Sequence, residues 1–299
     1  MISYVMKGYK SALYLNRYMT QPSGGREAVL PSLQKRHHPE EITMDLTMCG
    51  LLVERAEELA QLYREKGNWN DVKQAWFDER LSSRSTRNSA QKLYRVLSSR
   101  LKNAPSSLPN ASDLPLILDE CTTKRDKAQV LFLYLVTDDP LVQYVVHAYA
   151  NRVASGRDGA LDFSNETLGG ILEDLEYADG SPFEYAESTM TRWCEGFRSV
   201  MREIGVIENQ QAVAGKPPSV SDVPLLVAMG YSYSADSDEE RWFDTPIGLL
   251  YLFQPEDRWL ELFDRVAATE TWEFVELHGE LRLSPNDGPY AWVDNGGVA

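Results

Sequence analysis

The residues best placed to do chemistry lie between Arg80 and Ser112. These 33 positions hold no acidic side chain, where average composition would place about five. They do hold Arg80, Arg84, Arg87, Lys92, Arg95, Arg100 and Lys102. Lys and Arg neutralise phosphates and release counterions, while Ser and Asn donate neutral hydrogen bonds to phosphate oxygens. The chemistry this window offers is therefore nucleic-acid backbone binding.

An element must array these groups. The spacing predicts a helix from about Thr86 to Lys102, with Ser85 as its N-cap. Ala90, Leu93, Tyr94, Leu97 and Leu101 form its apolar stripe. Asn88, Lys92, Arg95, Ser99 and Lys102 recur in alternating steps of four and three on the opposite face, so they make one row rather than a scatter. Arg80, Arg84 and Arg87 lead into it. A second helix is predicted from about Thr189 to Ile204, capped by Ser188 and stopped by Gly205. Trp193, Phe197, Val200, Met201 and Ile204 form its inner face. Ser188, Thr191, Arg192, Arg198 and Arg202 lie outward. A helix-turn-helix reader offers the start of its second helix to a groove, which makes Ser188, Thr191 and Arg192 the exposed end of a second candidate.

The chain around these helices is acidic. Its 299 residues carry a net charge of −15, with 43% hydrophobic and 25% charged residues. That composition excludes collagen, low-complexity disorder and a disulfide miniprotein. The charge is uneven. Residues 1–155 hold 21 basic and 17 acidic side chains, net +4, and residues 156–299 hold 9 and 28, net −19. Such asymmetry suggests different partners for the two halves. Charges are screened over about 8 Å at physiological salt, so an acidic protein can still present a local anion-binding face.

The order of elements predicts a mainly α fold: a multi-helix bundle with helix-turn-helix-like units and a small C-terminal β-hairpin. Four regions are expected: an N-terminal extension over 1–43, a basic helical region over 44–115, a helical region with a winged-helix-like unit over 116–207, and an acidic region over 208–299. A long helix with Met48, Leu52, Ala56, Leu59 and Tyr63 on one face should stop at Gly67. A short helix capped by Asn70 should follow. Val130–Val136 reads as a buried helix. Residues 103–115 and 208–222 read as linkers, and Thr271–Ser284 as two strands around His278-Gly279. Those strands could be the wing of a winged helix, but Glu273, Glu276 and Glu280 would face phosphates badly, so packing or a protein contact is the favoured role. The tail from Pro285 reads as loose.

Other chemistry is not indicated. Cys49, Cys121 and Cys194 are few and far apart, which argues for a reducing compartment and against a disulfide frame or zinc cluster. No signal-like or membrane-spanning apolar stretch is evident, so a cytoplasmic protein with no membrane partner is expected. His37-His38 has no companion ligand at a known metal spacing, and His147 reads as a core histidine. No phosphate loop, nucleophile elbow or zinc-protease motif occurs. No metal, cofactor or catalytic residue is expected, and the chain reads as a non-enzyme.

One family pattern runs through these elements. Ala60-Gln61-Leu62-Tyr63 ends the long helix and Gly67-Asn68-Trp69 makes the next step. Ser83-Arg84-Ser85-Thr86 then caps an Arg-rich helix ending in Arg100-Leu101. The pattern continues from Ser188-Thr189 to Gly205-Val206-Ile207 and on to Trp272-Glu273-Phe274. In this it resembles the A protein of BREX phage-defence systems, BrxA, over about three quarters of the chain. The resemblance implies an all-helical, double-stranded-DNA-binding accessory. It also implies possible partners in other BREX proteins: a methyltransferase, a phosphatase-like protein and an ATPase. The N-terminal forty residues and the acidic C-terminal third depart from that pattern. Two alternatives stay open: a protein-interaction scaffold within the same machinery, and an RNA-binding helical protein. Tyr94 is the only aromatic residue in the basic run, so single-strand stacking is not favoured.

Overall fold

The computed structural model describes residues 41–47, 49–154, 161–236, 242–277 and 280–294. The protein is mainly helical, with one antiparallel hairpin near the C-terminus. Among the described residues the first three α-helices are α1 (Val53–Lys66), α2 (Trp69–Asp78) and α3 (Arg87–Lys102). They pack on one another. Gly67 adopts φ 71° and closes α1 by donating its amide to the Tyr63 carbonyl. Only a residue without a Cβ takes that conformation at little cost, which is why the chain turns there. Asn68, rather than Asn70, caps α2, and its side chain accepts from the Asp71 amide at 2.9 Å. Tyr63 and Trp69 stack across the corner at 4.3 Å.

Next come α4 (Leu114–Glu120), α5 (Lys124–Asp138), α6 (Pro140–Ala154), α7 (Asn165–Glu173) and α8 (Glu187–Glu203). Val130–Val136 is buried within α5, as the sequence predicts. Helix α5 has no single apolar face because neighbours surround it: it packs against α1, α3, α6 and α8. Its buried Gln129 donates to the carbonyls of Ile204 and Ser219. Thr123 and Asp126 form a reciprocal capping box at its start, satisfying two otherwise orphaned amides.

The C-terminal layer is α9 (Asp222–Ala235), α10 (Ile247–Tyr251), α11 (Trp259–Ala268), the strands β1 (Trp272–Leu277) and β2 (Glu280–Pro285), and α12 (Ala291–Asp294). Helix α9 packs on α5, and α10 on α6 and α9. A Cβ at Gly248 would collide with the Ala228 backbone, so α9 and α10 meet backbone to backbone. In the hairpin Trp272 pairs with Pro285 and Leu277 with Glu280. Trp272 and Leu283 point inward, and the Leu283 carbonyl accepts from Trp242 Nε1 at 3.1 Å. Its inner face therefore packs on the protein.

Several expected features differ. The long first helix does not begin near Met48, which lies outside the described residues. It begins at Val53, because Leu52 takes φ 53° and breaks the helical path. Residues 103–115 are a packed connection, not an open linker: Leu108 and Pro109 are buried, and the Pro109 carbonyl accepts from Tyr134 at 2.6 Å. The segment at 208–222 is also built in, with a bridge from Ala214 to Asp162. The described part of the tail after Pro285, residues 286–294, is docked. Trp292 is buried, Tyr290 donates to the Ser107 carbonyl at 2.6 Å, and the missing Cβ of Gly230 leaves room for the Tyr290 ring. Composition suggests loops in all three places, but the few aromatic and apolar residues they contain find burial. One hydrophobic cluster runs from Ile42 to Trp292, across residues 115 and 207.

Candidate nucleic-acid interface

Helix α3 starts where its cap allows. Thr86, one residue beyond the expected Ser85, accepts from the Ser89 amide at 3.2 Å. The first turn contains no acidic side chain. Unpaired amides and the helix dipole make such an end attractive to anions. Before it, residues 79–86 make a tight turn in which Arg80 and Ser83 take positive φ, 56° and 51°. Side chains rarely adopt that conformation. It is held by the Leu81 amide donating to the Trp76 carbonyl, by the Arg84 amide donating to buried Ser82, and by Arg55 donating to Ser83 Oγ at 2.6 Å. Arg80, Arg84, Arg87, Asn88, Lys92, Arg95 and Lys102 are all exposed, and Ser99 is half-buried.

The row divides along its length. Arg95 donates to Asp45 at 2.7 Å. Ser99 and Asn103 both donate to Asp138, at 3.1 Å each. The Lys102 ammonium lies over the Trp69 ring, 4.8 Å from its centroid. Arg100 is buried and donates to the Gly50 and Cys49 carbonyls at 2.7 and 3.1 Å. It is a structural tether, set apart from the exposed row. Its only sequence signal is phase: Arg100 follows Leu93 and Leu97 on the inward side of the helix.

Arg100 holds a strap, residues 41–52 apart from Met48, which lies outside the described residues, against α3, and Arg95 pairs with its Asp45. The strap's other side lies on α8. Leu46 is buried, and its carbonyl sits where a Cβ on Gly196 would be. Burial pushes the Cys49 thiol up, against the pull of Arg100 and Arg84. Arg84 thus lies in the same electrostatic neighbourhood as the strap. The strap was not singled out by the sequence, yet it joins the two candidate helices.

Helix α8 begins at Glu187, earlier than expected. Ser188 lies within it, and Ala186 at the N-cap makes no side-chain cap bond. Ser188 and Arg192 are exposed, and Thr191 and Arg202 half-buried. Arg198 turns back on the protein and donates to the Phe163 carbonyl and to Asn165 Oδ1, at 3.2 and 2.6 Å. Arg202 lies near Glu203, whose carboxyl is raised by burial while Lys124, Arg100 and Arg202 pull it down and Glu54 opposes them. Exposed Glu184, Glu187 and Glu195 flank the α8 face.

His147 is a core residue, its ring nitrogen 2.8 Å from the Tyr251 hydroxyl. Burial drops its pKa to about 4. His37-His38 lies outside the described residues, as do His278-Gly279 and residues 237–241. No helix among the described residues is long and apolar enough to cross a membrane.

Among solved structures, an uncharacterized protein from Magnetospirillum magneticum is similar, with a TM-score of 0.51 and 14% sequence identity. The alignment covers 71% of this chain and 99% of that one. That likeness concerns the fold alone. No curated protein matches this sequence. The family model of BrxA matches residues 41–218, from the strap through the packed connection after α8. That is more than half of the chain, so the protein belongs to the BrxA family, and membership points to a BREX-related defence role.

Proposed function

We propose that this chain is a non-enzymatic, double-stranded-DNA-binding accessory of BREX-type defence in the cytoplasm. The observation that carries the reading is the set of exposed Arg80, Arg84, Arg87 and Lys92 at the start of α3, whose first turn carries no acidic side chain. The bundle α1–α3 serves as the helix-turn-helix-like unit. Arg84 and Arg87 take phosphates on either side of the Thr86 cap, while Asn88 and Lys92 face the groove edge. The turn at 79–86 is pre-shaped, so little ordering entropy is lost on binding. Helix α8 is the secondary contact, through Ser188, Thr191 and Arg192. Affinity comes from phosphates and is weakly sequence-specific.

Fluorescence anisotropy with a 30-base-pair duplex, from 50 to 300 mM salt, tests this. A steep fall in affinity with salt, with duplex preferred to an RNA competitor of equal length, is the expected result. A salt-insensitive affinity or preference for the RNA would reject it.

A scaffold role is the second reading, favoured by one further observation. Residues 219–299, beyond the family match, hold 16 acidic and 4 basic side chains. Their described part is folded onto the core as a layer. A layer of that charge suits a basic surface on another BREX protein. Co-purification with a BREX ATPase, methyltransferase or phosphatase-like protein after nuclease treatment is the outcome that would move this reading ahead.

A further inference from the structure

We infer that Asp45 is an internal stand-in for a DNA phosphate: it occupies Arg95 and confines duplex contact to the first half of α3. The inference rests on the DNA-binding reading above. The sequence window from Arg80 to Ser112 has no carboxylate of its own, but the fold brings two to it. Asp45 reaches across from the strap to Arg95, and Asp138 from the end of α5 takes Ser99 and Asn103. Both carboxylates meet the second half of the row. Both take the kind of donor a phosphate oxygen would take: a guanidinium in one case, a hydroxyl and an amide in the other. The Arg95 side chain remains 61% exposed and that of Asp45 23%, so an incoming phosphate can compete for the guanidinium.

The strap does not depend on this ion pair. Buried Leu46, the Arg100 bonds to Cys49 and Gly50, and the contact at Gly196 hold it in place. An ion pair so exposed contributes little to folding. Its consequence is for binding: Arg95 is gained only when Asp45 is displaced, and beyond it the exposed cation of the row is Lys102, which lies over the Trp69 ring.

The test is the duplex titration repeated with Asp45→Asn, Arg95→Ala and the double variant. Asp45→Asn should bind about three- to tenfold more tightly at 50 mM salt, with a log–log salt slope steeper by about 0.9, one additional phosphate contact. Arg95→Ala should leave the wild-type affinity within about twofold and cancel the gain in the double variant, a coupling that general loss of negative charge would not produce. Asp45→Ala guards against a local effect of the asparagine and should show the same gain, with an unchanged melting temperature as the folding control. Wild-type binding with no gain in either Asp45 variant overturns the inference alone. So does an Arg95→Ala loss as large as that of Arg84→Ala. Absence of duplex binding in wild type and variants alike overturns the DNA reading and this inference together.

Discussion

The starts of α3 and α8 both bring basic side chains to a helix N-terminus, and they are built in opposite ways. At α3 a threonine caps the helix, the first turn has no carboxylate, and four cations stand exposed around it. At α8 an alanine occupies the cap position, Glu187 sits in the first turn, and Arg198 is spent on Phe163 and Asn165. The dipole of each helix favours anions at this end. At α8 the protein places an anion in the first turn itself, while at α3 that turn has none and the nearest acids in the chain, Asp78 and Glu79, stand before it. The difference teaches that a helix with three arginines is not thereby an anion site. What decides is whether neighbouring elements have already answered those charges.

The largest expected effect removes what both regions share. Arg100→Ala strips the buried tether between α3 and the strap, leaving the buried Cys49 carbonyl and the part-buried Gly50 carbonyl without this donor and Asp139 without its nearby cation. It should cost about 3–5 kcal/mol, read as a shift in urea midpoint, and should weaken both candidate faces together. A cost below about 1 kcal/mol would separate the two regions and deny the strap its role.

Next comes pH. Asp139 caps α6 by accepting from the Leu141 and Val142 amides, and burial raises its pKa to about 6 from 3.8. The native carboxyl takes its proton before the unfolded chain does. Its contribution to stability therefore declines as pH rises from about 4 to about 6. His147 works the other way. Its pKa falls to about 4 from 6.5, so its contribution is present above 6.5 and lost as pH falls toward 4. Each shift corresponds to about 3 kcal/mol, and the two largely offset; Glu203, also raised by burial, adds to the Asp139 side. Asp139→Asn keeps a cap acceptor and unmasks His147. The variant should lose stability on acidification from pH 6.5 to 4 more steeply than wild type, as denaturant titrations at several pH values would show. Parallel profiles would mean that the corner beside Arg100 does not titrate as its burial requires.

The direct contrast follows. Arg84→Ala, Arg87→Ala and Lys92→Ala combined should weaken duplex binding about 100-fold at 100 mM salt, near 2.7 kcal/mol, and flatten the salt slope by about 2.7. Arg192→Ala, Arg198→Ala and Arg202→Ala combined should weaken it less than about threefold, the smallest effect of the set. Equal losses from the two triple variants would erase the distinction between the helices and return α8 to equal standing.

Much of this was legible in the sequence. The stripe of Leu93, Tyr94, Leu97 and Leu101 announces α3 and its inward face, Gly67 announces the end of α1, and alternating residues around His278-Gly279 announce the hairpin. These are local signals: a period, a cap, a turn. The missed elements lacked one. Helix α9 is buried on nearly every side, so no polar face marks its period. The tail is rich in glycine and proline, and its docking depends on Gly230, some sixty positions earlier in the chain. The strap at 41–52 has neither period nor composition to recommend it, and its importance comes only from the partners on its two sides.

The sequence by itself determined a mainly helical fold, a basic stretch free of acids, and the phase that turns Asn88, Lys92 and Arg95 outward. Those follow from side-chain period and composition, which act over a few residues. Tertiary structure alone decided which of these cations remain available. Asp45 and Asp138 stand 50 and 39 residues from the groups they meet, and Arg198 closes on a loop 35 residues earlier. Electrostatic pairing acts over a few ångströms in space whatever the separation along the chain. A stretch with no acid in its sequence can therefore meet acids in the fold: Arg95 is paired with Asp45, and Ser99 and Asn103 are taken by Asp138.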